Sequence, residues 1–176
     1  MLDTLITNKT RIKLLIKFFL NSRSRSYLRN LEQEFNESSN AIRIELNKFE
    51  NAGLLKSETQ GNKKYFTANT NHPLFGDIHN ILLKHLGIDQ VIDEIIAGLG
   101  MLKKVYLVGD FAKGKNSNII DLLLVGDINK DYLTRLIEKL ENMVSRKVRY
   151  LIFGEEEIQN FLAKKSKTEY LLLWEA

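Results

Sequence analysis

The apolar positions of the chain change period along its length, and each change marks an element. Ile12, Leu15, Ile16 and Phe19 recur at i, i+3, i+4 and i+7, the spacing of one helical face, which predicts a helix over residues 9–21. The run Ser22-Arg23-Ser24-Arg25-Ser26 breaks that pattern, and Ser26 is the expected N-cap of a second helix buried through Leu28, Leu31 and Phe35. After a turn at 36–38, a third helix from Ser39 turns Ile42, Leu46 and Phe49 inward and ends at Gly53. Two short extended runs, 54–59 and 63–67, flank Gln60-Gly61-Asn62 and predict a hairpin.

Beyond Pro73, the only proline, residues 75–86 and 88–99 both have helical patterns and are separated by Gly87. Strands are expected at 105–108, 119–125 and 147–153, with helices at 130–144 and 155–163 and a terminal strand near 170–174. Leu133, Leu136, Ile137, Leu140 and Val144 share one face of the helix at 130–144.

Three helices followed by a hairpin is the order of a winged helix-turn-helix domain. The segment 44–67, with Asn51-Ala52-Gly53-Leu54-Leu55 before the hairpin and Asn71-His72-Pro73-Leu74 after it, resembles ArsR-type and related winged-helix transcription factors over about residues 5–75. That resemblance implies double-stranded DNA as partner, and for the helix after the wing a dimer interface through Ile78, Ile81, Leu82 and Leu86. Packing of the same four residues against the second domain is an equal explanation.

Charge adds to this reading. Residues 1–70 hold 12 Lys and Arg against 7 Asp and Glu, and the rest hold 14 against 15, so the excess of positive charge lies in the N-terminal part. A basic module beside a near-neutral one points to a polyanionic partner, with a solubilising surface as the other explanation. The absence of cysteine excludes disulfides and thiolate metal sites. Lys13 and Lys17 interrupt the apolar run near the N-terminus, which is too short and too charged to span a bilayer. The expectation is a soluble, cytoplasmic protein with no membrane partner.

With Ile42, Leu46 and Phe49 inward, Asn40, Arg43 and Asn47 emerge on the opposite side of the third helix, with Ile44 beside them. Arg pairs with guanine and Asn with adenine in the major groove. Ser38 and Ser39 at the helix start suit phosphate, and Asn62, Lys63 and Lys64 in the wing suit the flanking backbone or minor groove. These eight residues form the expected DNA-binding set. His72, His79 and His85 lack the spacing of a helical metal pair, so no metal ligands are assigned.

Val108-Gly109-Asp110-Phe111-Ala112-Lys113-Gly114, followed by Asn118-Ile119-Ile120-Asp121-Leu122, resembles the nucleotidyltransferase superfamily signature. In that family a Gly-Ser turn cradles nucleotide phosphates and an Asp-x-Asp pair on the next strand holds divalent metals. Gly109, Ala112, Gly114 and Asp121 match the pattern. Asp110 stands where serine is expected, Lys113 replaces arginine, Asn118 replaces the second serine, Ile119 replaces the first carboxylate, and the strand at 147–153 carries no acid. Two-metal phosphoryl transfer needs several converging carboxylates. No catalytic residue and no cofactor are therefore assigned. Gly109, Asp110, Lys113, Gly114, Lys115 and Asp121 remain as a candidate site for a small anionic or nucleotide ligand, or else as a structural turn.

The expected fold class is α+β: a winged helix-turn-helix over 1–74, a helical connector over 75–100 and a small mixed-sheet nucleotidyltransferase-like domain over 101–176. The expected function is a dimeric DNA-binding transcriptional regulator whose C-terminal domain is a pseudoenzyme that dimerises or senses a ligand. The alternative is a nucleotidyltransferase-like enzyme or antitoxin component acting on a protein or RNA partner.

Overall fold

The order of elements follows from where each apolar run finds cover. The computed structural model describes residues 2–176; Met1, where the expected first domain begins, lies outside them. The chain divides into two compact units, Met1–His85 and Leu86–Ala176. Together they form a mixed α+β fold with two sheets.

The first unit starts with α1 (Leu2–Leu5) and α2 (Lys9–Leu15). Asn8 caps α2, its side-chain oxygen accepting from the Arg11 backbone N–H at 3.0 Å. The helix expected to run to residue 21 instead widens into a π-helical segment at Ile16–Leu20. This geometry buries Phe18, Phe19 and Leu20 in succession, which a regular amphipathic helix does not do.

Next come β1 (Arg25–Tyr27), α3 (Leu28–Phe35), α4 (Ser39–Asn51), β2 (Leu55–Gln60), β3 (Lys63–Ala68) and α5 (Phe75–Leu86). Ser26 does not cap α3. It lies in β1, which pairs antiparallel with β3 through Ser26 and Phe66, and Tyr27 takes the cap position. The sheet order is β1-β3-β2, and a two-residue turn at Gly61 and Asn62 closes the β2–β3 hairpin. Gly61 has φ +61, the left-handed conformation such turns require.

The second unit holds α6 (Ile88–Gly98), β4 (Leu102–Val108), α7 (Gly109–Ala112), β5 (Ile119–Gly126), α8 (Lys130–Val144), β6 (Lys147–Phe153), α9 (Glu155–Ala163) and β7 (Leu171–Glu175). Its sheet order is β6-β5-β4-β7. Strand β5 carries a nearly continuous apolar run because it is central, pairing antiparallel with β4 and parallel with β6. The crossover to β6 is α8, whose inner face includes Leu133, Leu136, Ile137 and Leu140. A core cluster of Tyr106, Leu123, Val125, Ile158 and Leu162 joins the sheet to α9.

The four residues proposed for a dimer face part company. Leu82 and Leu86 are buried, Ile78 is half-buried, and Ile81 is exposed. Two of the four are thus already covered within the chain. No helix is long and apolar enough to cross a membrane among the described residues.

Candidate nucleic-acid interface and the glycine turn of the second unit

Helix α4 is held so that one face is free. Ser38 caps it, its Oγ accepting from the Ala41 backbone N–H at 3.3 Å, so one of the expected phosphate contacts also serves the helix. Inward, Ile42, Leu46 and Phe49 are buried. Glu45 is buried too, with its side chain only 2% exposed, and is satisfied by ions. Arg11 Nε donates to Glu45 Oε2 at 2.7 Å, Lys48 Nζ donates to Oε1 at 2.9 Å, and Asn8 Nδ2 reaches Oε1 at 3.3 Å. The Arg11 hydrogen bond, against the opposing effect of burial, holds the Glu45 carboxyl below its ordinary value.

Outward, Asn40, Arg43, Ile44 and Asn47 are exposed. A cleft of about 600 Å³ opens between α3, α4 and the β2–β3 hairpin. Its walls include Arg29, Ser39, Arg43, Asn47, Asn62, Lys63 and Lys64, and its floor includes Leu28, Leu46 and Phe66. The structure therefore brings Ser39, Arg43, Asn47, Asn62, Lys63 and Lys64 to one concave surface, while Asn40 lies on the exposed side of α4. Among the described residues, Arg43 and Asn47 have no side-chain partner.

The two hairpin lysines, Lys63 and Lys64, are less free than sequence alone suggests. Lys64 Nζ donates to Glu50 Oε2 at 2.7 Å, and Ser57 Oγ donates to the other Glu50 oxygen. The Lys64 contact, followed by that of Ser57, draws the Glu50 carboxyl below its ordinary value. Lys63 Nζ lies 4.6 Å from the Tyr27 ring centre, and Arg25 lies 4.0 Å from that of Tyr65. Tyr27 and Tyr65 meet edge to face at 5.2 Å, so cations and rings alternate across the small sheet. Tyr27 carried no signal of its own in the sequence, because β1 was hidden among serines and arginines.

In the second unit, the turn after β4 is a short helix, α7, rather than an open loop. Gly109 has φ +70, and a Cβ there would lie 3.1 Å from Asp121 Cγ and closer still to Oδ2. Gly114 has φ +72. Lys113 and Lys115 N–H groups both donate to the Asp110 carbonyl, and Gly114 N–H donates to Phe111, so the turn satisfies much of its own backbone. Lys113 Nζ lies 3.5 Å from Glu169, and Lys115 is exposed. Arg146, lying 5.4 Å from the buried Phe111 ring, donates to the Ser117 carbonyl and ties down the loop before β5. Burial lowers the Arg146 pKa from its ordinary value.

Asp121 does not stand alone on β5. Its register partner on β6 is Arg149, which donates from Nε to Oδ1 at 2.6 Å and from the guanidinium to Oδ2 at 2.9 Å. The Asp121 hydrogen bond, and more weakly the charge of Asp110, raise the Arg149 pKa. The Arg149 side chain is 66% exposed, so solvent screens the pair and it adds little to stability. Its larger effect is on charge: both oxygens of the Asp121 carboxylate face a guanidinium. With Ile119 at the neighbouring position and Arg149 on the later strand, this donor set does not fit a pair of divalent metals. Among the described residues, no group of three or more His, Cys, Asp or Glu is placed to hold a metal ion. Arg149 carries no signal in the sequence because its link to Asp121 depends on the parallel register of β5 and β6.

No protein-family model matches the chain, and no curated protein matches it. Among solved structures, similarity is found to toxin–antitoxin complexes and to a protein with a nucleotidyltransferase designation. One, described as a tri-AMPylated Shewanella oneidensis HEPN toxin in complex with MNT antitoxin, shares 17% identity over 53% of this chain and 73% of that chain, with a TM-score of 0.38. Another, a toxin–antitoxin with AMP-PNP, shares 18% identity over 50% and 73%, with a TM-score of 0.39. A Sulfolobus solfataricus protein carrying a nucleotidyltransferase designation shares 21% over 54% and 82%, with a TM-score of 0.37.

Proposed function

We propose that this chain is a DNA-binding transcriptional regulator, its first unit a winged helix-turn-helix and its second a nucleotidyltransferase-like unit that performs no nucleotidyl transfer. The observation that carries the reading is the outward face of α4. Arg43 and Asn47 stand there without side-chain partners, beside a wing that presents Lys63, in the more basic part of the chain. A guanidinium and a carboxamide on an exposed helix are the groups that read base edges, while wing lysines meet phosphate. Pairing of two copies would supply the second half-site that a single recognition helix lacks.

Selection from random duplexes followed by mobility shift at several salt concentrations tests this. Arg43→Ala is expected to lose about 5- to 150-fold discrimination at one base position. An Arg43→Ala variant with wild-type base preference would remove the residue from its role. Absence of binding to any duplex at low salt would end the reading itself.

In the second unit, the guanidinium on Asp121 and the aliphatic side chain at 119 support a site for a small anion, or a structural turn, in place of catalysis. A second reading keeps chemistry: a nucleotidyltransferase-like enzyme or antitoxin component acting on a protein or RNA. It is favoured by the survival of Asp121 directly beneath Gly109 in the signature turn. The solved structures reported above are of that class and none is described as a regulator, so the DNA reading stands on this chain's own geometry. Incubation with labelled ATP, CTP, GTP or UTP and Mg²⁺ separates the two. Label transfer that Asp121→Asn abolishes would establish the second reading.

A further inference from the structure

The cleft beside α4 has a carboxylate on its wall. Glu32, on α3, lines it together with Arg29, Arg43, Asn47 and Lys63. The other glutamates of the first unit are all held by cations. Glu34 pairs with Lys17, Glu37 with Lys13, Glu45 with Arg11 and Lys48, Glu50 with Lys64, and Glu58 with Arg25. Glu32 makes no ion pair and no side-chain hydrogen bond among the described residues, although Arg29 stands three residues earlier on the same helix and lines the same cleft. The opposing groups at the cleft are the guanidinium of Arg43 on α4 and the ammonium groups of Lys63 and Lys64 on β3, with no second carboxylate on its walls.

A lone carboxylate on a surface that meets a polyanion opposes binding unless it finds a donor there. Phosphate and sugar oxygens supply no such donor apart from hydroxyls, and the base carbonyls of guanine and thymine repel it. The exocyclic amino groups of cytosine and adenine donate. We propose that Glu32 is a specificity-determining residue that accepts a hydrogen bond from a base amino group in the major groove and rejects a base presenting a carbonyl at that position. This inference rests on the DNA reading above. It adds a selection rule: amino against keto, set by repulsion as much as by attraction. Arg29 and Arg43 bring the nucleic acid close, and Glu32 decides which step of it is tolerated.

The test is selection from random duplexes with the full chain, wild type against Glu32→Gln and Glu32→Ala, each first checked for unchanged thermal unfolding. Wild type is expected to require cytosine or adenine at one position by about 5- to 150-fold over guanine or thymine. Glu32→Gln, whose amide both donates and accepts, is expected to admit guanine or thymine at that position while tightening binding to unrelated duplexes. Glu32→Ala should flatten that position. A wild type that selects a sequence which both variants select equally well overturns the proposal and leaves the DNA reading intact. A wild type that binds no duplex overturns both.

Discussion

At the scale of residues, two side chains show how local chemistry is committed. Gly109 adopts φ +70 directly above Asp121, so Gly109→Ala combines left-handed strain, about 1–2 kcal/mol, with a collision against the carboxylate. Thermal unfolding should show the second unit destabilised by at least that amount, and less so when Asp121→Ala is also present. Glu45 behaves differently, as a charge buried and paired. Its folded pKa lies below the unfolded carboxylate value of about 4.5, so its contribution is complete above that pH and disappears as pH falls through the lower folded value. Glu45→Gln should cost roughly 1.5–3 kcal/mol at neutral pH, the range for hydrogen bonds to charged groups. Wild type and variant should approach each other as pH falls through the folded value, which denaturant unfolding over a descending series of pH values would measure. Asp121, Gly109 and the aliphatic residue at 119 were all visible in the sequence. Arg149 was hidden, because only strand register reveals that residues 28 positions apart touch.

At the scale of elements, periodicity succeeded wherever one face is buried over several turns, as in α4 and α8. It failed where backbone geometry departs from the regular helix or where a strand is too short to alternate. The π-helical segment at Ile16–Leu20 is the first case and the three-residue β1 is the second. The reassignment of Ser26 follows from β1, since its backbone is engaged with Phe66 before any helix begins. The end of α4 was readable from sequence, since Gly53 follows it with φ +73, but its N-cap was not, because sequence placed Ser38 only at phosphate. Ser38 holds the start of α4, and Ser38→Ala should cost about 1 kcal/mol in chemical denaturation. The same substitution should weaken duplex binding only as far as the helix start loosens, and Ser38→Asp should restore stability, since aspartate caps as well as serine does.

At the scale of the whole molecule, the charge division matters most. The first 70 residues carry the excess of positive charge, and several of those cations are already paired within the unit. The salt dependence of duplex binding should therefore be shallower than the count of lysines and arginines suggests. Lys63→Ala should lower affinity evenly across sequences and reduce the slope of log K against log salt by about 0.9. Lys64→Ala should change the slope less, because Glu50 already neutralises that ammonium. The pattern of helices and strands was legible from the chain, but the order β6-β5-β4-β7 was not, since it pairs β4 with residues far along the sequence. That pairing has a temporal side. A ribosome adding roughly 5–20 residues per second leaves the outer edge of β4 bare for several seconds after its hairpin partner β5 has emerged. Until Leu171–Glu175 arrives, the nascent second unit presents an adhesive rim, and its safe birth depends on how quickly that last ribbon is delivered.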